Sequence, residues 1–468
     1  MQGLTEAIRT DKGVRYAPLR HRPSIAAHPA ESKCRLGFLL FLLVNVNLFL
    51  RPTDLIPALD GYPIYEISIC LCLLASASVV VQQLSWAALK AAPISLMVVL
   101  IVPATFMASM SHGDQWFARH NAIDIFKVVL YYLLLVGLVT TPKRLRFFVL
   151  FIFVCLTLMA ILVLLQYYGV IGNRKLAAVT EAFTTDSAGN RVFVDRVQGF
   201  GIFEDPNDLS LVMVTAVMIG IHFVIRAQIA ERMICITPIG LILFTFVMTH
   251  SRGGFLSMLA AVITMATARL GWKKGILFLV LATPLALPFL DARQTDLDLG
   301  DRGDTAQGRI HLWRDAMVLF HHSPIFGIGV DKLVDEIGIV AHNSFVQGYA
   351  EMGLFGGTAF FAVYYLSITR LMWIRKRLTI AADPELAPWA RTLLAVCIGY
   401  AVGICSLTRN YVISTYVAPG LVCAYSGIVS RRYPWMRMQF NGRMLRNVVL
   451  ASLGMILVLE IIARFFAY

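Results

Sequence analysis

Residues 147–168 read FFVLFIFVCLTLMAILVLLQYY and contain no charged side chain. An α-helix needs about 20 apolar residues to cross the roughly 30 Å hydrocarbon core of a bilayer, so this stretch predicts a transmembrane helix. The residues just before it, KRLR at 143–146, are mostly basic. Basic residues concentrate at the cytoplasmic ends of membrane spans, so we place this end of the helix in the cytoplasm.

Apolar segments of similar length recur on both sides of this stretch, which makes about thirteen spans in all. The others are 36–50, 62–82, 91–110, 122–140, 208–225, 234–249, 254–268, 276–290, 344–369, 392–407, 412–429 and 447–464. Of the 468 residues, 58% are hydrophobic and 15% are charged, against about 45–50% and 25% in soluble domains. The sequence therefore predicts an all-α polytopic integral membrane protein and excludes a pair of water-soluble domains.

The net charge of +13, from 41 Lys and Arg against 28 Asp and Glu, would suggest nucleic-acid binding in a soluble chain. Here most basic residues fall in the segments that alternating spans assign to one side, as the positive-inside rule requires. We therefore read the charge as a topology signal and expect no nucleic-acid partner. The basic segments are the tail before residue 36, Lys90, 143–146, 226–232, 269–274, 370–391 and 431–446.

This topology divides the chain into four parts. We expect a basic cytoplasmic tail at 1–35, transmembrane helices at 36–290 that include a periplasmic loop at 169–205, a long periplasmic loop at 291–342, and C-terminal transmembrane helices at 343–468. Loops of such length in a compact protein are usually functional, so we expect the chemistry on the outer side.

The second long loop carries a helical signal. In RIHLWRDAMVLF at 309–320, apolar residues recur at Ile310, Trp313, Met317 and Phe320, the spacing of one face of an α-helix. We expect a helix at the outer membrane surface, followed by a short turn within 333–340. The outer loop is therefore predicted to be partly helical.

Two arginine motifs suit an anionic ligand. Arg252 lies in THSRGG at 249–254, where the eighth span begins; its guanidinium and the helix N-terminus both favour a phosphate. An arginine at the edge of hydrocarbon otherwise needs a partner, so an interface anchor or a salt bridge is the alternative. Arg309 and Arg314 flank His311 on the loop helix, where a solvated charged face is the alternative, above all for Arg314.

A polar motif, AHNS at 341–344, opens the tenth span. His342, Gln347 and Glu351 are candidates to line a polar cavity. A glutamate inside a membrane span is energetically costly, and such residues usually have a function. Asn343 or Ser344 also fits a helix N-cap, the simpler interpretation of this cluster.

Acidic motifs are read mainly as structural. EDPND at 204–208 has the pattern of a capped helix start. DLDLGDRGD at 296–304 lacks the spacing and the closing glutamate of a calcium loop, which favours a flexible linker. The sequence contains no GxxxxGK[ST], GxSxG or HExxH, so ATP hydrolysis, esterase and zinc-protease chemistry have no support.

Together, SRGG at 251–254, GRIHLWRDAMVLFHHSPIFGIGV at 308–330 and AHNSFVQGYAEMGLFGG at 341–357 resemble the signature region of the O-antigen ligase and polymerase superfamily. GFGIFEDPNDLSLVM at 199–213 and RPTDLIPAL at 51–59 are also similar to family patterns. The resemblance is specific over about 199–360 and elsewhere covers only the hydropathy profile.

This resemblance implies a GT-C-like membrane glycosyltransferase in the bacterial inner membrane. Its donor would be a glycan on undecaprenyl diphosphate, its acceptor a glycan or lipid, and it would invert the anomeric centre without a metal, nucleotide sugar or other cofactor. Membrane lipid and other polysaccharide-assembly proteins are its implied partners.

By position in the motifs, the family's catalytic residues fall on Arg252, Arg309 and His342. Arg314, Asn343 and Glu351 are candidates for substrate binding. Many relatives carry Asn-Pro-Asn where this chain has Asp205-Pro206-Asn207, so we assign that turn no catalytic role.

Three functions remain open from the sequence. A polymerase of O-antigen or exopolysaccharide is favoured, because three features resemble the polymerase-like members of the superfamily. These features are RPTDLIPAL, the basic tail and the extra C-terminal span. A ligase that transfers the glycan to lipid A core or protein is the alternative. A transporter of lipid-linked glycan is more remote, because the arginines cluster at the outer membrane edge and no internal repeat is visible.

Overall fold

The computed structural model describes residues 34–172, 177–185, 191–275, 277 and 306–465. Most of these residues form α-helices. The helices of the N-terminal half are α1 Arg35–Phe49, α2 Pro52–Leu55, α3 Ile64–Gln83, α4 Trp86–Ala91, α5 Pro93–Met110, α6 Gln115–Leu138 and α7 Pro142–Tyr167. Those that follow are α8 Pro206–Arg226, α9 Ile229–Met248, α10 Arg252–Leu270, α11 Ala306–His322, α12 Lys332–Ile337, α13 Ser344–Ile380, α14 Ala387–Gly403, α15 Ile413–Arg432 and α16 Gly442–Phe465.

The predicted membrane fold is confirmed. Within the described residues, 10 helices are long and apolar enough to cross a membrane, and α1 and α14 are shorter apolar helices. Each of these helices overlaps one predicted span. The remaining span, 276–290, lies outside the described residues apart from Leu277, as do the tail up to residue 33 and the acidic run 296–304.

Residues 169–205, where the sequence pattern indicates no strand, contain a β-hairpin. Strands β1 Val179–Thr185 and β2 Arg191–Arg196 pair antiparallel, with Val179 opposite Arg196. The amide of Val197 then donates to the carbonyl of Met248 over 3.1 Å. The hairpin is therefore attached to the C-terminal end of α9, beside the SRGG motif.

Contacts between loops divide into the same two groups as the predicted sides. Segments predicted to be outside contact one another through the pairs Arg51–Glu204, His112–Gly327, Arg196–Thr249 and Asp208–Arg409. Segments predicted to be cytoplasmic contact one another through Lys90–Phe440, Thr140–Arg431, Pro384–Arg226 and Glu385–Arg432. The helix bundle therefore has two ends that match the charge pattern.

Helix α13 is interrupted at Gly353, where φ is 62° and ψ is −162°. Only glycine adopts this conformation without strain, and the carbonyl of Ile325 occupies the space that a side chain would need. The segment after α11 fits into the interruption, because Leu354 N donates to Pro324 O over 2.7 Å and Ile328 N to Ala350 O over 3.0 Å. The break thus fixes the outer loop to the helix that His342 precedes.

Candidate active site

Helices α8, α10 and α13 begin at the predicted outer end of the bundle, and each has a side-chain cap. Asp205 accepts from Asn207 N over 2.7 Å at α8, and Ser251 accepts from Gly254 N over 3.0 Å at α10. Asn343 accepts from the amides of Phe345 and Val346 over 2.9 and 3.3 Å at α13. A helix N-terminus carries partial positive charge and favours anions.

Polar contacts hold these three helix starts together. Ser251 Oγ donates to Asn207 Oδ1 over 2.7 Å, which joins α10 to α8. The amide of Arg409 donates to Ser344 Oγ over 2.9 Å, which joins the connection 404–412 to α13. Arg409 also donates to Asp208 of α8, so hydrogen bonds link all three N-termini.

His342 lies immediately before α13 and is half-buried, with a left-handed backbone φ of 49°. Such a backbone conformation is uncommon for a residue other than glycine and is often found at functional sites. Burial lowers the pKa of His342 from its ordinary value of 6.5, and the positive charges of Arg309 and Arg409 lower it further, while Asp205 acts in the opposite direction. The imidazole is therefore neutral near pH 7 and can accept a proton.

Helix α11 brings Arg309 to His342. Trp313 lies one turn after Arg309, on the same helix face, and its Nε1 donates to the carbonyl of Ala341 over 2.9 Å. Met317 and Phe320 are buried on the same helix. The predicted helix is confirmed, and this packing explains how the Arg309 charge reaches His342.

Arg314 is placed differently. It forms an ion pair with Asp315, at 3.3 Å from Nε to Oδ1, and about half of each side chain is exposed. Arg309 lies close enough to His342 to lower its pKa, whereas Arg314 lies on the solvated part of α11. The role of Arg314 in substrate binding stays a prediction.

Arg252 is the first residue of α10 and is half-buried. The residue after it, Gly253, packs so closely that a side chain there would collide with Ser406. His250, just before the cap, has a left-handed φ of 48°. Gly253 thus lets α10 approach the connection 404–412, which places Arg252 at the same end of the bundle as His342.

Asn343 and Glu351, both predicted to bind substrate, lie in the interior. Asn343 forms the cap described above and is 2% exposed. Glu351 is completely buried and accepts from Gln347 Nε2 over 2.5 Å and from Tyr411 Oη over 2.6 Å. The amide of Asp331 is a further donor to its carboxylate. These hydrogen bonds join α13 to two loops; the predicted polar cavity, and substrate binding by Asn343 and Glu351, stay predictions.

The sequence analysis did not identify Arg409 as part of this site. Its guanidinium forms two hydrogen bonds to the carboxylate of Asp208, one of them Nε to Oδ1 at 2.5 Å. Burial opposes the charge on Arg409, but the hydrogen bonds and negative charge of Asp208 outweigh it and raise the pKa. An acid in the first turn of α8 and an arginine in a very short outer connection are the sequence signals that could have indicated the pair.

Arg196, at the end of β2, also had no predicted role. It is 4% exposed and donates through Nε to Thr249 O and through Nη2 to Asn207 Oδ1, both over 2.8 Å. It therefore positions the SRGG motif relative to α8. Only the tertiary structure shows this, because the hairpin itself was not predicted.

A metal-binding group is not found among the described residues, where no three His, Cys, Asp or Glu side chains cluster suitably. The site consists instead of arginines, one histidine and helix N-termini. Such an arrangement can stabilise a polyanion and accept a proton beside it.

Comparison with known proteins agrees with the sequence motifs. Residues 238–361 match a family model described as O-antigen ligase. The matched region contains Arg252, Arg309 and His342. A search of the curated proteins finds no match. The family match supports the O-antigen ligase and polymerase superfamily, and with it a ligase or polymerase type of activity in polysaccharide assembly.

Proposed function

We propose that this chain, as a member of the O-antigen ligase and polymerase superfamily, is an inverting glycosyltransferase of the bacterial cytoplasmic membrane. Its donor is a glycan on undecaprenyl diphosphate, its acceptor is a sugar hydroxyl, and its active site faces the periplasm. The observation that carries the proposal is the half-buried His342 beside the charges of Arg309 and Arg409, before the N-terminus of α13.

The reaction breaks the bond between the anomeric carbon and the diphosphate oxygen, and the bond electrons leave with the diphosphate. Arg252, Arg309 and the helix N-termini stabilise the negative charge that develops there; each such donor contributes about 10²–10³ in rate. The acceptor oxygen attacks the opposite face of the sugar, which inverts the anomeric centre. Its proton passes to His342; alternatively, His342 orients the hydroxyl by a hydrogen bond and the departing diphosphate takes the proton.

We favour polymerisation of lipid-linked repeats, for O-antigen or exopolysaccharide, on the basis of RPTDLIPAL, the basic tail and the additional C-terminal span. The alternative is transfer of the finished glycan to lipid A core or to a protein. One observation favours that alternative, because the matching family model is described as O-antigen ligase. Donor, acceptor and membrane lipid are the partners in either case, together with other polysaccharide-assembly proteins.

The deciding experiment supplies purified protein with lipid-linked repeats, with and without lipid A core. Longer lipid-linked glycans in the absence of core support the polymerase, whereas transfer only when core is present supports the ligase. Movement of lipid-linked glycan across liposomes without a new glycosidic bond would contradict both and support a transporter.

A further inference from the structure

A cavity of about 530 Å³ lies beside the candidate active site. Residues 51–54, the first four of RPTDLIPAL, form one wall where α2 begins. Ile202 and Ile413 line the cavity as well. Ile202 lies close in sequence to the Asp205 cap and Ile413 close to Arg409, so the cavity adjoins the elements that hold His342.

The segment that forms this wall is held in a specific conformation. Arg51 has a left-handed φ of 41°, and its Nε lies 3.2 Å from Asp54 Oδ2. Its Nη1 lies 4.0 Å from Glu204, in the turn before α8. The N-terminal motif is thus connected to the site through Arg51, although no step of the proposed reaction uses it.

The cavity lining has the chemistry of a sugar site. Its carboxylates can accept from ring hydroxyls, the Arg51 guanidinium can donate to them, and the tyrosines offer both a hydroxyl and an apolar ring face. Ligand pockets commonly enclose about 300–1,000 Å³, so this cavity has room for a small saccharide. The charged and aromatic lining residues are Arg51, Asp54, Asp60, Tyr62, Tyr65 and Glu66.

The charge of the cavity argues against the diphosphate as its occupant. The lining contains three carboxylates, those of Asp54, Asp60 and Glu66, and one guanidinium, that of Arg51, so it is net negative and would repel an anion. The arginines of the active site have the opposite character. A neutral or amino-substituted sugar suits this cavity, and the diphosphate suits the arginines.

The two tyrosines of the lining differ in what they offer a ligand. The hydroxyl of Tyr65 is buried and has no hydrogen-bond partner among the described residues, so a ligand in the cavity can contact only the ring of Tyr65. Tyr62 is 64% exposed, so its hydroxyl is accessible and can donate to or accept from a sugar hydroxyl.

We infer that this cavity binds one or two sugar residues of a glycan substrate beside the reacting centre. The inference rests on the proposed function, and it assigns a role to RPTDLIPAL. Both the donor and the acceptor carry sugar rings, so the shared chemistry is the pyranose hydroxyls.

The test uses the full chain in detergent and the oligosaccharide released by mild acid from the strain's own lipid-linked repeats, with binding measured by saturation-transfer NMR. Tyr62→Phe should weaken binding about ten-fold, the equivalent of 1.4 kcal/mol. The thermal unfolding midpoint should not fall, because the variant removes only the hydroxyl of an exposed side chain. The matched control is Tyr168→Phe, a tyrosine with 61% exposure that follows α7 and does not line the cavity, and it should bind as the wild type does.

A second pair of measurements separates this inference from the proposed reaction. Arg252→Ala should lose transfer but keep oligosaccharide binding. In transfer assays of Tyr62→Phe, a raised KM for the donor or for the acceptor identifies which sugar occupies the cavity. The inference is overturned if the wild type does not bind the oligosaccharide or if Tyr62→Phe binds it equally well, and either result leaves the transferase proposal standing.

Discussion

Arg409 and Asp208, which are 201 residues apart in sequence, form a two-point ion pair at the outer end of the helix bundle. Arg409 Nη2 also lies 3.7 Å from Asp205, the cap of α8. The side chain of Asp208 is 8% exposed and that of Arg409 is 28% exposed. This pair fixes the start of α8 against the connection 404–412, and the amide of Arg409 joins that connection to Ser344.

Arg409→Ala should lower the free energy of unfolding by about 2–4 kcal/mol, because removing one partner leaves a largely buried carboxylate uncompensated. Thermal unfolding in detergent measures the change. The matched control is Arg314→Ala, which breaks the exposed pair with Asp315 and should cost at most about 1 kcal/mol. Equal effects of the two variants would contradict a structural role for the buried pair.

Arg252→Ala and Arg309→Ala should leave the protein folded but reduce product by about two orders of magnitude, because each removes a donor to the developing diphosphate charge. Lysine should restore only part of the activity, since it lacks the planar fork of arginine. Arg314→Ala should reduce product less than ten-fold, because its guanidinium is exposed. The length distribution of the glycan products is the measurement, and a normal ladder from either alanine variant would remove that arginine from the site.

The rate should fall as pH drops through the pKa of His342, because the imidazolium cannot accept a proton. Burial and Arg309 lower this pKa below 6.5, so the fall lies on the acid side of that value. Arg309→Gln removes a positive charge that disfavours the imidazolium. The pKa of His342 should consequently rise, and the residual activity should decline at a higher pH than in the wild type. A pH–rate profile of unchanged shape would make His342 an orienting residue rather than the base.

Glu351→Ala should destabilise the protein by about 1–3 kcal/mol or more, because it leaves the buried donors of Gln347 and Tyr411 without an acceptor. Glu351→Gln keeps one carbonyl oxygen as an acceptor and should cost less. Unfolding and transfer assays on the same samples distinguish structure from substrate binding. If Glu351→Gln keeps its stability but loses affinity for the substrate, the predicted role in binding is correct.

EDTA should leave the rate unchanged, because the charge stabilisation is assigned to arginines. The alternative hypothesis is that a divalent cation, bound by the acidic run 296–304, stabilises the diphosphate, as in many phosphoryl sites. Asparagine at positions 296, 298, 301 and 304 should accordingly have little effect. The cation hypothesis would be favoured if EDTA abolishes the activity of the wild type and magnesium or manganese restores it, while the asparagine variant shows no such response.

The sequence alone determined the membrane fold and the starts of α8, α10 and α13. A run of about 20 apolar residues has few alternatives to a transmembrane helix, because each backbone polar group must be satisfied inside the segment. The cap at Asp205 and the helix around Trp313 were also readable, since capping and helical periodicity act over a few neighbouring residues. The motif order was sufficient to indicate Arg252, Arg309 and His342 as candidates.

Only the tertiary structure decided which of these residues meet. Arg409 reaches Asp208, and Trp313 reaches the carbonyl before His342, through helix packing that no local pattern encodes. The interruption at Gly353 lets a loop backbone enter α13, and sequence periodicity continues through it without a signal. The folded environment then sets the protonation of His342. An imidazole has a pKa of 6.5 in water, and burial together with the charges of Arg309 and Arg409 lowers the pKa of His342 in the folded chain.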